Sequence, residues 1–197
     1  MNFRIGLLAL GLALFVSVPS TFAGILVYQS QLTGAAESPP VDSPGTGFTT
    51  LTYDTTAQTM RLEVSFSGLL GNTTVAHIHA ATRLPGVGTA GVATRTPSFE
   101  GFPAGVTFGS YDRLFDMTLA TSWNASYVNA NGGIPGAQVA LVAALNAGKA
   151  YLNIHTSRFS GGEIRGFLQA VPEPSTIGLA LFGAAGLVIV RRRRAGK

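Results

Sequence analysis

The sequence predicts a mainly β domain, an antiparallel sandwich or barrel with one short helix, flanked by two apolar helices that read as targeting segments. Three observations carry this. Charged residues make up only 11% of the chain while glycine contributes 25 of its 197 residues, a balance that suits turn-rich β structure better than helix. Short alternating stretches are punctuated by Gly, Pro, Asp and Asn, as in a chain of antiparallel strands. The long apolar runs sit at the two ends. Without about 50 terminal residues the remainder is still long enough for a core that needs no covalent staples.

At the N-terminus, Arg4 precedes an apolar run over 5–18, and Pro19-Ser20 leads into Thr21-Phe22-Ala23. Small residues at Thr21 and Ala23 fit a signal-peptidase site, so cleavage is expected between Ala23 and Gly24. The run is short for a membrane span of about 20 residues, which favours a cleaved signal peptide (residues 1–23) over a permanent anchor. Export would then pass through the Sec translocon and signal peptidase.

Between the ends, seven segments read as strands: 25–32, 47–53, 60–66, 74–81, 107–118, 150–156 and 162–169. The second and third flank Asp54-Thr55-Thr56, a hairpin signal. Residues 136–146 are rich in Ala, Val and Leu and stop before Gly148, which reads as a helix with a glycine cap. Residues 82–106, with five glycines and three prolines, read as a long surface loop.

The net charge of +4 misleads. Residues 24–170 carry seven basic side chains against eight acidic ones, a net of −1. A nucleic-acid partner needs a basic patch on the folded domain, so none is expected. The chain has no cysteine, which excludes thiolate metal sites, cysteine nucleophiles and disulfides. No G-x-S-x-G element stands in strand–turn–helix context, and Gly86-Val87-Gly88 lacks the βαβ setting of a dinucleotide site. The sequons at Asn72 and Asn124 read as chance.

The C-terminus runs Val171-Pro172-Glu173-Pro174-Ser175-Thr176, then an apolar stretch over 177–190, then four arginines at 191–194. The prolines forbid regular structure in the first part. At ~1.5 Å per residue the apolar part is just long enough to embed as a helix, with the arginines left on the cytoplasmic side. This order resembles the PEP-CTERM sorting signal of Gram-negative bacteria, with Pro172, Glu173 and Pro174 as the motif. The resemblance implies transient insertion of the tail (171–197) in the inner membrane, recognition by an exosortase-type membrane protease, and delivery to the outer envelope or extracellular matrix. Exopolysaccharide or other matrix components are then the expected neighbours.

The domain itself (24–170) opens with Leu32-Thr33-Gly34-Ala35-Ala36-Glu37-Ser38-Pro39-Pro40-Val41 and carries Ala76-His77-Ile78-His79-Ala80 in its middle. Later come the run from Ala147 through His155 to Thr156, and Gly161-Gly162-Glu163-Ile164-Arg165-Gly166. In this order the motifs resemble the CHRD domain, first defined in chordin. The resemblance implies a β-rich fold outside the cytoplasm and no agreed activity. A non-catalytic binding or structural module is the expectation.

All three histidines lie within these motifs. Period-two alternation puts His77 and His79 on one strand face, Tyr151, Asn153 and His155 on another, and Glu163 with Arg165 on a third. With Ile78, Leu152, Ile154, Ile164 and Leu168 turned to the core, the polar side chains should face outward, as one surface if the strands adjoin. Three imidazoles suit copper or zinc, with Asn153, Glu163 or Arg165 as supporting groups. The bland alternative is a hydrogen-bonded polar face with a Glu163–Arg165 ion pair. The pattern is also similar to Cu/Zn superoxide dismutase. That similarity would make His77, His79 and His155 copper ligands and Arg165 a loose match for an anion-guiding arginine. No histidine is left for a bridging position or a zinc loop, so dismutase activity is not expected.

Overall fold

The computed structural model describes residues 24–172. The N-terminal signal segment, the apolar tail and the arginine cluster therefore lie outside the described residues. Eight strands form one sheet: β1 (Ile25–Thr33), β2 (Thr46–Asp54), β3 (Thr59–Ser67), β4 (Thr73–His79), β5 (Gly109–Asp116), β6 (Tyr151–Thr156), β7 (Ile164–Phe167) and β8 (Gln169–Ala170). The order is β4-β6-β7-β1-β2-β3-β5, with β8 beside β1, every pairing antiparallel. The sheet curls into a half-barrel.

The local causes follow the sequence closely. In β3, Met60, Leu62, Val64 and Phe66 are buried while the residues between them are not, the period-two pattern of a strand with one face on the core. The hairpin to β2 turns where the Asp54 carboxylate accepts the backbone N–H groups of Thr56 and Ala57, an Asx-type turn. Ile78, Leu152, Ile154, Ile164 and Leu168 are all fully buried, as the alternation requires.

Two helices, α1 (Ala125–Ala130) and α2 (Ile134–Asn146), pack on the core. The second is the expected helix extended at its N-terminus by two residues, Ile134 and Pro135. It buries Ala137, Leu141, Ala144 and Leu145, and it ends where Gly148, at φ +63°, donates its N–H to Leu145. The first helix was not expected. Its cap is Asn124, whose side-chain oxygen accepts from Ser126 N–H; the Asn-Ala-Ser triplet is a helix start.

Residues 82–106 depart from the simple surface loop of the sequence reading. The stretch buries Thr82, Ala93, Thr94, Phe99 and Phe102 and runs along the free edge of β4. Ala80 N–H donates to Gly91, Ala93 N–H to Ile78, and Phe99 N–H to Ala76. Thr73 and Val106 join the start of β4 to the approach to β5. The two ends of the strand order are thereby linked, and the β4 edge is covered.

A buried histidine cluster

The last strand of the sequence reading is two pieces in the structure. β7 and β8 are separated at Leu168, whose N–H turns to Ala150, and Glu163 precedes β7. The three strands that carry the polar residues are neighbours, β4 against β6 against β7. Register sets the site. His77 faces Asn153, and Asn153 faces Arg165; His79 faces Tyr151; His155 faces Val75, diagonal to His77.

The polar side chains do turn away from the apolar core, but the expected exposure is wrong. His77 is 6% exposed, His79 and His155 9%, Asn153 and Arg165 3%, and Glu163 is fully buried. β6 is buried on both faces along its whole length. The apolar face meets the core, and the polar face is met by Gly88, Ala90 and Pro97 of the long loop, by Ala36 and Glu37, and by Ser160.

The imidazoles form a compact trio. Ring centres lie 5.1 Å apart for His77 and His155, 5.5 Å for His77 and His79, and 6.1 Å for His79 and His155. One nitrogen from each ring lies within 4.8 Å of the other two. One nitrogen of each ring is engaged by a backbone carbonyl: His77 Nε2 with Pro97 O at 2.6 Å, His79 Nδ1 with Ala90 O at 2.9 Å, His155 Nδ1 with Ser160 O at 2.8 Å. A carbonyl only accepts, so these ring nitrogens carry the protons. His77 Nδ1, His79 Nε2 and His155 Nε2 are therefore bare lone pairs, and all three are buried without a hydrogen-bond partner. Burial disfavours the charged form of each ring and outweighs the carbonyl contacts, so all three pKa values fall, that of His79 to about 4. The cluster is neutral at physiological pH.

The supporting groups differ from those expected. Backbone carbonyls, two of them from the long loop, orient the rings; neither Asn153 nor Glu163 does. Glu163 does not pair with Arg165. Its carboxylate is enclosed by Leu70 N–H at 2.5 Å, Gly71 N–H at 3.1 Å, and the Ser43 and Thr156 hydroxyls at 2.7 Å. Burial alone would raise its pKa, but these four donors prevail and hold the carboxyl below its ordinary range. Arg165 donates from Nε to Ala36 O at 2.5 Å and from Nη1 to Gly88 O at 3.0 Å, fastening the loop. Its guanidinium lies 4.8 Å over the Tyr151 ring, which stacks on His79 at 4.8 Å. Its nearest carboxylate is Glu37, at 3.7 Å.

Glu37 was read only as part of the opening motif. Burial, partly offset by Arg165 and the Ser38 N–H, raises its carboxyl to about 7. Its Oε1 and the Asn153 Oδ1 are buried and unpartnered, and both occupy the space a side chain at Gly162 would need, so that a methyl group there would collide with them. The only sequence signal for this pair was the motif in which Glu37 sits.

The fold and site define a mainly β, antiparallel domain with a buried imidazole trio, followed in sequence by a proline-punctuated apolar tail. The CHRD domain model matches residues 28–168 and the PEP-CTERM protein-sorting motif matches residues 170–194; the chain belongs to the CHRD domain family. The sorting motif makes it an exported protein recognised at its C-terminus by exosortase, a membrane protease. No curated protein and no solved structure matches the chain.

Proposed function

We propose that this protein is an exported CHRD module that holds one transition-metal ion, copper or zinc, between His77, His79 and His155. It serves the outer envelope or extracellular matrix as a binding module and not as a catalyst. The observation that carries the reading is a buried histidine trio in which one nitrogen of each ring lies within 4.8 Å of the others and each ring keeps a nitrogen without a hydrogen-bond partner. Each such acceptor left empty costs about 1–3 kcal/mol. A water molecule brings two protons, so it cannot satisfy three acceptors. An added proton would satisfy one, but burial opposes it. A single cation answers all three.

The geometry is near what an ion needs. Imidazole nitrogens bound at ~2.0–2.1 Å from one ion stand roughly 3.5 Å apart, so small side-chain rotations close the remaining gap. The carbonyl partners fix the tautomer each ligand requires, as the outer hydrogen bonds of metal-bound imidazoles commonly do. The chain's three histidines are all committed to this one cluster, which supports a mononuclear site over the two-metal arrangement of a dismutase.

The test is titration of the full chain, purified in detergent, with copper and with zinc. One equivalent should bind, and His155→Ala should abolish tight binding while leaving the far-ultraviolet circular dichroism unchanged. Absence of binding to the unaltered chain contradicts the reading.

A further inference from the structure

The metal reading leaves the identity and charge of the ion open. Resting on that reading, we propose that the trio is a site for monovalent copper, preferred over divalent copper and over zinc.

The first ground is charge. The rings are 6–9% exposed, so an ion held between them gives up most of its hydration. The electrostatic cost of that transfer rises with the square of the charge, about fourfold from a monovalent to a divalent ion. Divalent sites commonly offset the cost with anionic ligands such as thiolate or carboxylate, or, where three imidazoles hold zinc, with an open fourth position for water or hydroxide, which rings this buried do not offer. Here every donor is neutral, because the carbonyl of Pro97, Ala90 or Ser160 holds the single ring proton on the far nitrogen.

No anion stands in reserve. Among the described residues no carboxylate joins the three histidines within ligand distance. Glu163 is saturated by four donors of its own. Glu37 faces Arg165, and the fixed charge closest to the trio in the stack His79–Tyr151–Arg165 is the positive guanidinium.

The second ground is coordination number. Zinc in a closed site takes four ligands, and divalent copper favours tetragonal arrangements. The protein supplies three. Monovalent copper, like zinc, has a filled d-shell and no ligand-field preference, but its single charge is satisfied by fewer donors, and imidazole is a competent copper ligand.

The deciding experiment uses the full chain in detergent under anaerobic conditions. Affinities for Cu(I), Cu(II) and Zn(II) are measured by competition against chelators specific to each, with His155→Ala alongside. The proposal expects one equivalent of Cu(I), bound at least about tenfold more tightly than either divalent ion, and lost in the variant. Zn(II) or Cu(II) binding through the three histidines with a smaller gap, or more tightly, overturns the preference and leaves the trio standing as a metal site. No binding of any of the three, or binding that survives His155→Ala, overturns both.

Discussion

His77 and His155 stand edge to face on adjacent strands, ring centres 5.1 Å apart, and each hands its only ring proton to a backbone carbonyl outside the sheet. Two imidazoles in such contact would ordinarily hydrogen-bond to each other. Their protons go to carbonyls instead, so each ring keeps a buried nitrogen without a partner, and His79 adds a third. The site's chemistry and its pH behaviour follow from this arrangement.

Consider stability against pH in the metal-free protein. A histidine whose folded pKa is depressed contributes stability that is present above its unfolded value and lost as pH falls. For His79 the window runs from 6.5 down to about 4, on the order of 3 kcal/mol. Glu37 has the opposite sign. Its folded pKa is raised from 4.5 to about 7, so its contribution is present below 4.5 and lost as pH rises through 7. The two oppose each other over the shared range. Glu37→Gln should therefore expose a steep rise in stability from pH 4.5 to 6.5, followed by denaturant melts at stepped pH. A curve no steeper than that of the unaltered protein would contradict the assignment of the Glu37 shift.

Glu163 is the anchor of the Leu70–Gly71 turn, of Ser43 and of Thr156. Glu163→Ala strands four buried or half-buried donors and should cost at least about 3 kcal/mol. Glu163→Gln should be nearly as harmful, since its amide turns a donor toward donors. A loss below about 1 kcal/mol for both, by urea denaturation, would show that water replaces the carboxylate freely.

Processing at both ends is the third expectation. Intact mass of protein recovered from the native envelope should begin at Gly24, and the apolar tail beyond the Pro172-Glu173-Pro174 motif should be gone. Full-length chain ending at Lys197 in the inner membrane would mean that the tail is a plain anchor.

Much of this architecture was legible in the sequence because strands write their orientation into a period of two. Alternation around Ile78, Leu152 and Ile154 placed the five core positions correctly, and the same rule put His77 beside His79. Exposure was not legible. A polar face reads as a wet face, yet here residues 82–106 fold back along β4 and bury it. The groups that orient the rings are carbonyls of Ala90, Pro97 and Ser160. Every residue has a carbonyl, so no side-chain pattern marks them. The expected Glu163–Arg165 pair failed for a related reason. Glu163 found backbone N–H donors, and Arg165 found Ala36, Gly88 and Tyr151, partners distant in sequence. Helix α1 was missed because six residues carry too little periodicity to stand out.

The central claim concerns three particular nitrogen atoms, and side-chain ¹⁵N nuclear magnetic resonance of the histidines observes them one by one. In the metal-free chain, His77 Nδ1, His79 Nε2 and His155 Nε2 should resonate as unprotonated nitrogens, while their ring partners carry the protons. One equivalent of Cu(I) or Zn(II) should move all three together, leaving the carbonyl-bonded nitrogens protonated. Protons on any of the three in the metal-free protein at neutral pH, or a metal that perturbs only one or two of them, would contradict the account.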